Sequence, residues 1–187
     1  MARLMPVVGL YTATSQGFEI SGPDYQYRAV SEEALSCLQG TFAKVEEFVG
    51  NEEFEGVRLE NKEYNIAVHY RQASDLAYQR LFQFLESLVA QEPRLALHHG
   101  KKVFELRPNV PWHKGKAVTH LMSHLKVLVP VYLGDDLTDE DAFRELQEVP
   151  GAVTVLVAET AQETRAKYRL KTVAQVLELL AALAESG

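Results

Sequence analysis

The sequence has one cysteine, no long hydrophobic run and no excess of positive charge. Its 187 residues include only Cys37, so no internal disulfide can form. This favours a reducing compartment and predicts a cytoplasmic location. No stretch approaches the roughly 18 consecutive apolar residues of a membrane span, so we expect no membrane partner. Residues 1–13 hold one arginine and an apolar run interrupted by Pro6 and Gly9, which makes a poor signal peptide.

The charge balance is acidic. The chain has 19 Lys and Arg against 26 Asp and Glu, a formal net charge of −7. This argues against nucleic acid or an anionic membrane as the main partner. Hydrophobic residues make up 47% and charged residues 24%, which excludes disordered and fibrous chains. The composition suits a folded protein that handles small molecules.

The middle of the chain predicts two helices and four strands. The first helix begins after Ser31, whose side chain can cap it, and ends at Gly50. The second is amphipathic and runs from about Ser74 to Ala90. Strands are expected over residues 56–60, 64–70, 95–99 and 103–107. We therefore place an α+β insert at residues 22–108.

Both ends of the chain alternate strands with helices, which is typical of an α/β fold. Two apolar runs, residues 127–133 and 152–157, are of the kind buried on both faces of a parallel sheet. The other expected elements are strands at 7–15 and 17–20, a helix at 114–125, a helix beginning at Thr138 and a helix at 172–183 that buries its apolar face. This pattern predicts an α/β core made of residues 1–21 and 109–187.

Five carboxylates fall within residues 135–141, directly after the run 127–133. Ligands bind at the carboxyl ends of strands in α/β sheets, and Mg²⁺ uses one or two carboxylates with water and phosphate. Helix capping is the alternative, because Thr138 and Asp141 form a variant of the capping box and acids favour a helix N-terminus. Capping explains the acids from Asp139 onward. It does not explain Asp135 and Asp136.

Two lysines, Lys114 and Lys116, stand where a helix is expected to begin. Cations there oppose the helix dipole, which a solvated surface tolerates. The alternative is an anion site, in which helix N–H groups and a lysine bind phosphate. Together with a Mg²⁺ site in the acidic cluster, this alternative predicts phosphoryl chemistry.

The predicted strands of the insert carry mixed charges. Cross-strand ion pairs are the simpler interpretation. A polyol ligand would use the same groups, because carboxylates accept hydroxyl protons while Lys and Arg donate. The residues concerned are Glu60, Lys62, Arg71 and Glu105.

Five motifs together resemble trehalose-6-phosphate phosphatases, a family of haloacid dehalogenase-like hydrolases. The resemblance covers about Val7 to about Leu183, and five motifs in the family's order are a specific match. In chain order they are QGFEI, ENKEYNIAVHYR, FELRP, WHKGKAV and GDDLTDEDAF.

The resemblance implies a Rossmann-like, haloacid dehalogenase-type α/β core with an inserted α+β cap. It implies Mg²⁺-dependent hydrolysis of trehalose 6-phosphate to trehalose and phosphate. The reaction would proceed through an aspartyl-phosphate, with the cap closing over the core. The implied partner is a small sugar phosphate.

The resemblance also implies roles for individual residues. Lys114 would steady the nucleophile and the phosphate. Asp135 would bind Mg²⁺, with Asp136 nearby and Asp139 orienting the metal shell. The groups that would contact the sugar hydroxyls are Glu60, Lys62, Arg71 and Glu105.

The chain departs from the family pattern in its first residues. Family members open with a strand ending in D-x-D-G-T, which supplies the nucleophile and the general acid/base. A later strand supplies a phosphate-binding Ser or Thr, and Met1–Leu10 aligns with the segment after it. The only D-x-D here is Asp139–Asp141. We therefore expect a truncated gene model or isoform, or a domain completed by another chain such as a trehalose-synthase partner.

An incomplete core would leave the run 127–133 exposed along an unpaired sheet edge. Two other hypotheses follow from the missing motif. One is a catalytically inactive sugar-phosphate-binding or regulatory module, which would bind trehalose 6-phosphate without turnover. The other is an inert fragment that does not fold alone.

Overall fold

A computed structural model describes residues 9–185 and shows five helices and ten strands in that part of the chain. The helices are α1 (Glu32–Val49), α2 (Asp75–Gln91), α3 (Lys114–Leu125), α4 (Asp139–Leu146) and α5 (Val173–Glu185). The strands are β1 (Thr12–Thr14), β2 (Glu19–Gly22), β3 (Tyr25–Arg28), β4 (Arg58–Lys62), β5 (Asn65–His69), β6 (Leu95–Gly100), β7 (Val103–Pro108), β8 (Val131–Gly134), β9 (Val153–Val157) and β10 (Tyr168–Leu170).

The described residues divide into two compact units. The discontinuous unit lies within Met1–Tyr27 and Trp112–Gly187, and the continuous unit is Arg28–Pro111. The first division follows Tyr27 rather than residue 21 because β3 pairs with β2 in a three-stranded sheet of order β1-β2-β3. Residues 7 and 8 of the expected first strand lie outside the described residues.

In the continuous unit, helices α1 and α2 pack on a four-stranded antiparallel sheet of order β4-β5-β7-β6. Both helices begin as predicted, because Ser31 accepts from the N–H of Ala34 and Ser74 from that of Ala77. The core between helices and sheet consists of fully buried side chains. They include Leu38, Val45, Ile66, Val68, Leu81, Leu85, Phe104 and Leu106.

Replacing Ser74 with alanine should lower the free energy of unfolding of the continuous unit by about 1 kcal/mol. The hydroxyl is 3.1 Å from the Ala77 nitrogen, and its loss leaves that N–H without its cap. Urea unfolding followed by circular dichroism measures the change. Ser87→Ala is the control, because Ser87 is exposed inside the same helix and alanine favours helix there. An equal loss in both variants would contradict the capping role.

In the discontinuous unit, β8, β9 and β10 form a parallel sheet with β9 in the centre. The predicted buried strand at 152–157 is confirmed, since Thr154, Val155 and Leu156 are buried. The predicted burial of 127–133 on both faces is wrong. Leu128 is 84% and Val129 59% exposed, and both lie in the irregular segment before β8. Among the described strands β8 pairs with β9 alone, which agrees with the alternative expectation of an exposed edge.

The apolar face of α5 is also exposed, contrary to prediction. Val173 and Leu177 are more than 60% exposed, and no residue of this helix is buried. The helix contacts β10 within a sheet of three described strands, which is too narrow to cover it. Over residues 9–185, no helix is long and apolar enough to cross a membrane.

Candidate functional site

Lys114 and the acidic cluster meet in the discontinuous unit. Strand β8 ends at Gly134, helix α4 begins at Asp139, and Lys114 is the first residue of α3. The Lys114 Nζ atom lies 2.9 Å from Asp139 Oδ1 and 3.2 Å from Asp136 Oδ2. The lysine thus binds two carboxylates that follow it by 22 and 25 residues in sequence.

Asp139 is the centre of this network. Its side chain is buried, and Oδ1 accepts from Lys114 and, at 2.7 Å, from the Tyr132 hydroxyl. Oδ2 accepts from the backbone N–H groups of Asp135 and Asp136, at 3.0 and 3.1 Å. Four donors therefore surround one buried carboxylate, which satisfies the requirement that a buried charge be paired and hydrogen-bonded.

Gly134 makes room for this carboxylate. A Cβ atom at position 134 would overlap the side chain of Asp139. The glycine that ends β8 therefore lets the first turn of α4 approach the strand end. Similarly, a Cβ at Gly115 would overlap the backbone of Asp141, so the starts of α3 and α4 lie against each other.

The pKa values of Lys114 and Asp136 favour the charged form of both side chains, and thus the ion pair between them. Burial lowers the pKa of Lys114, but the carboxylates of Asp139 and Asp136 outweigh it and raise the pKa above its usual value. Burial raises the pKa of Asp136, and hydrogen bonds from Thr138 and Lys114 outweigh it and lower the pKa. Both groups therefore stay charged at neutral pH.

Helix α4 is capped differently from the prediction. Thr138 makes no side-chain capping bond, so the expected Thr138–Asp141 capping box does not form. Instead, Asp136 Oδ1 accepts from the backbone N–H groups of Thr138 and Asp139 and from the Thr138 hydroxyl. Capping thus explains Asp136, and the expectation that capping does not account for this residue is wrong.

Two further acids of the cluster have structural partners. Glu140 accepts from the Thr164 hydroxyl at 2.6 Å and from the Arg165 N–H at 2.8 Å. It thereby anchors the loop before β10 to α4. Asp141 pairs with Arg144 one turn later on the same helix. These contacts hold the Glu140 and Asp141 side chains on partners other than Lys114.

Asp135 is the remaining acid. It is exposed at the carboxyl end of β8, and its side chain has no hydrogen bond or ion pair to any described residue. Within residues 9–185, no three His, Cys, Asp or Glu side chains are grouped to hold a metal ion. Within residues 135–141, Asp135 is therefore the uncommitted carboxylate, whereas Asp136 and Asp139 are engaged by Lys114. One carboxylate fits Mg²⁺, which takes few protein ligands and completes its shell with water and phosphate.

Tyr132 is a site residue that none of the sequence motifs points to. Its hydroxyl donates to Asp139, and burial followed by this hydrogen bond raises its pKa. The phenol therefore remains protonated and acts as a donor. The sequence does contain one indication of this role, since Tyr132 is the single hydroxyl in the apolar run 127–133. A buried tyrosine needs a polar partner for its hydroxyl.

A cavity of about 180 Å³ opens beside Lys114 in the same unit. The turn Ser15–Gly17 forms part of its wall, with φ of 51°, 63° and 85° at its three residues. Left-handed backbone at two consecutive non-glycine residues is costly and persists where surrounding structure enforces it. The lining residues are Ala13, Gln16, Gly17, Lys114, Ala117, Val118, Leu121 and Tyr132.

In the continuous unit, Glu60 and Glu105 lie on the sheet face opposite the helices. The strand register places each of them opposite Ala67. Hydrogen bonds from Lys62 at 3.2 Å and from His69 at 3.4 Å lower the pKa of Glu60. The Glu60–Lys62 ion pair lies within β4, so it is not the expected cross-strand pair; the partner of Glu60 on the neighbouring strand is His69.

Glu105 binds different partners on that face. It accepts from Asn65 at 3.0 Å and pairs with Arg107. Arg71 is exposed in the turn after β5 and makes no hydrogen bond or ion pair to Glu60, Lys62 or Glu105. Three of the four predicted sugar-binding residues thus share one face, and Arg71 is not joined to them by contacts.

Comparisons with known proteins agree with one another. A family model described as trehalose-phosphatase matches residues 2–174. Trehalose 6-phosphate phosphatase RA3 of Zea mays is 34% identical over 199 residues, covering 94% of this chain and 53% of its own length. The chain spans about half the length of the first curated relatives it matches.

Solved structures show the same fold. The trehalose-6-phosphate phosphatase of Aspergillus fumigatus superposes with a TM-score of 0.68 at 24% identity, over 96% of this chain and 71% of that one. The C-terminal domain of the C. albicans trehalose-6-phosphate phosphatase gives 0.69 at 24%, over 98% and 73%. The predicted haloacid dehalogenase-type α/β fold class is confirmed.

Proposed function

The chain belongs to the trehalose-phosphatase family, and we propose that it forms part of a Mg²⁺-dependent phosphatase acting on trehalose 6-phosphate. The observation that carries the proposal is the network of Lys114, Asp136 and Asp139 at the carboxyl end of β8. Strand ends of parallel sheets are where α/β proteins bind ligands.

Lys114 is the proposed phosphate ligand. An ammonium has three protons, and two carboxylates engage it here, which leaves one proton for a phosphate oxygen. Asp139 holds the ammonium in place from the buried side. Lys114 would therefore orient the phosphoryl group and stabilise charge on its oxygens during transfer.

The charge balance of the network supports a divalent cation. Asp135, Asp136 and Asp139 carry three negative charges against the single positive charge of Lys114, an excess of two. A phosphate dianion would be repelled by this excess. Asp135, the uncommitted carboxylate, is the proposed Mg²⁺ ligand, and Asp136 and Asp139 orient the surrounding groups. When bound, Mg²⁺ would neutralise phosphate charge.

One edge of β8 pairs with no strand of residues 9–185, and this supports a further proposed contact. That edge and the neighbouring exposed Leu128 and Val129 suit an added parallel strand. That strand would come from a segment outside these 187 residues or from a partner chain such as a trehalose synthase. It would bring the nucleophilic aspartate beside Lys114.

The polar sheet face of the continuous unit is the proposed sugar-binding surface, and this unit the proposed cap. Glu60 and Glu105 can accept from sugar hydroxyls, and Lys62 can donate. Arg71 is proposed as a further contact. The single cysteine supports a proposed cytoplasmic location.

Phosphate release from trehalose 6-phosphate tests the function. The chain should be assayed with Mg²⁺, alone and mixed with a family segment that carries the D-x-D-G-T strand. Lys114→Met should then lower kcat by about a hundredfold, the size of effect for one transition-state charge donor. Chelation of the metal should abolish turnover.

Lys116→Met is the matched control, because Lys116 lies in the same helix turn and contacts neither acid. Equal rates in the two lysine variants would contradict the role of Lys114. Saturable binding of trehalose 6-phosphate without any turnover in the mixture would contradict catalysis and indicate a binding module.

A further inference from the structure

The Tyr132 hydroxyl and the Lys114 ammonium both donate a hydrogen bond to the same carboxylate oxygen of Asp139. Tyr132 donates to Asp139 Oδ1 at 2.7 Å, and Lys114 donates to the same atom at 2.9 Å. Two donors on one carboxylate oxygen constrain each other, because each must take a separate lone-pair direction.

The phenol ring is held in place from the other side. Its edge-to-face contact with Phe143 has a centroid distance of 5.8 Å and an interplanar angle of 83°. Phe143 is fully buried in α4. The ring therefore has little freedom to turn its hydroxyl away from Asp139.

Asp139 has no spare acceptor capacity on the opposite oxygen. Oδ2 is bound by two backbone N–H groups of the segment after β8. The donors to Oδ1 are side chains, so only these hydrogen bonds can change when a residue is replaced. Without the hydroxyl, Lys114 can move onto the freed lone pair or shift further onto Asp136, which it already contacts and whose side chain is 52% exposed.

We propose that Tyr132 is a positioning residue, whose hydroxyl fixes the Asp139 carboxylate and thereby directs the Lys114 ammonium to the neighbouring cavity. Both Tyr132 and Lys114 line that cavity. The consequence for phosphoryl transfer rests on the proposed function. The positioning itself does not, and it can be measured without turnover.

The first test is the exchange of the Lys114 ammonium protons with water, measured by nitrogen-15 NMR on the full chain. The resonance is assigned by its loss in Lys114→Met. In Tyr132→Phe, exchange should accelerate by about tenfold, as expected for loss of one hydrogen bond to a charged group. An unchanged rate would overturn the proposal.

Tyr168→Phe is the matched control. Tyr168 is 61% exposed in β10 of the same unit, so its hydroxyl should not affect Lys114. Equal acceleration in both tyrosine variants would overturn the proposal, because the effect would then be general loosening.

A second measurement needs no variant. In the unsubstituted chain, the Tyr132 hydroxyl proton should be visible by NMR as a slowly exchanging signal, since it is half-buried and donates to Asp139. Absence of any protected tyrosine hydroxyl signal would overturn the proposal even if Tyr132→Phe failed to fold.

The kinetic consequence is tested separately in the mixture with turnover. Tyr132→Phe should lower kcat by about tenfold with KM nearly unchanged, and should have no added effect in a Lys114→Met background. Additive effects would overturn action through Lys114. Complete inactivity of every mixture would contradict the proposed function, while the NMR results would still decide the positioning.

Discussion

Replacing Asp139 with asparagine should lower the free energy of unfolding by about 3 kcal/mol, the lower end of the cost of breaking a buried pair. The lower end applies because Lys114 is 26% exposed and can recover some hydration. An amide has only one acceptor oxygen. Its NH₂ group must face either the two backbone N–H groups or the Lys114 and Tyr132 donors.

Urea unfolding followed by circular dichroism measures this loss. Asp141→Asn is the control, since Asp141 makes a partly exposed pair with Arg144 on the same helix and should change stability by less than about 0.5 kcal/mol. A loss below 1 kcal/mol for Asp139→Asn would show that the network contributes little to stability.

Replacing Gly17 with alanine should destabilise the discontinuous unit by about 3 kcal/mol. Left-handed backbone at φ 85° costs a residue with Cβ about 1 to 2 kcal/mol. The added Cβ would also overlap the Ala117 methyl, and overpacking costs about 1 to 3 kcal/mol. The Gly17 carbonyl accepts from Trp112 Nε1 at 2.8 Å, so the chain's single tryptophan reports the change by fluorescence.

Replacing Gly40 with alanine should instead raise the free energy of unfolding. Gly40 is exposed inside α1, nothing lies within 4 Å of an added Cβ, and alanine in a helix interior gains up to about 1 kcal/mol. Ala117→Gly alone should cost about 1 kcal/mol, because Ala117 lies inside α3. Measured against that single variant, Gly17→Ala in the Ala117→Gly background should lose only the strain part; an undiminished loss would show that backbone strain alone accounts for the effect.

Local signals in the sequence predicted the helices well. Ser31 and Ser74 cap α1 and α2, and α3 runs over the predicted residues 114–125. These boundaries depend on residues within one turn of each other, so spacing and cap chemistry suffice. The sequence also predicted the central strand β9, because an uninterrupted run of β-branched and apolar residues is typical of a strand buried on both faces.

The predictions that failed have two causes. The run 127–133 was predicted to be buried, yet burial requires neighbouring strands that spacing cannot supply. Thr138 was the candidate cap of α4, yet Asp136, two residues earlier, caps the helix, because more than one nearby side chain can reach the same N–H groups. The role of Tyr132 follows from the meeting of β8 with α3 and α4, which only the folded arrangement shows.

The interruption of one unit by the other has a consequence for how the chain folds. The continuous unit is complete once Pro111 has been synthesised, so its helices and sheet can assemble while later residues are still on the ribosome. The discontinuous unit must wait for residues 112–185 to rejoin residues 9–27. Early folding of the continuous unit confines its two ends to the dimensions of one compact unit. The segment between residues 27 and 112 then no longer behaves as a long flexible loop, which reduces the entropic cost of closing it.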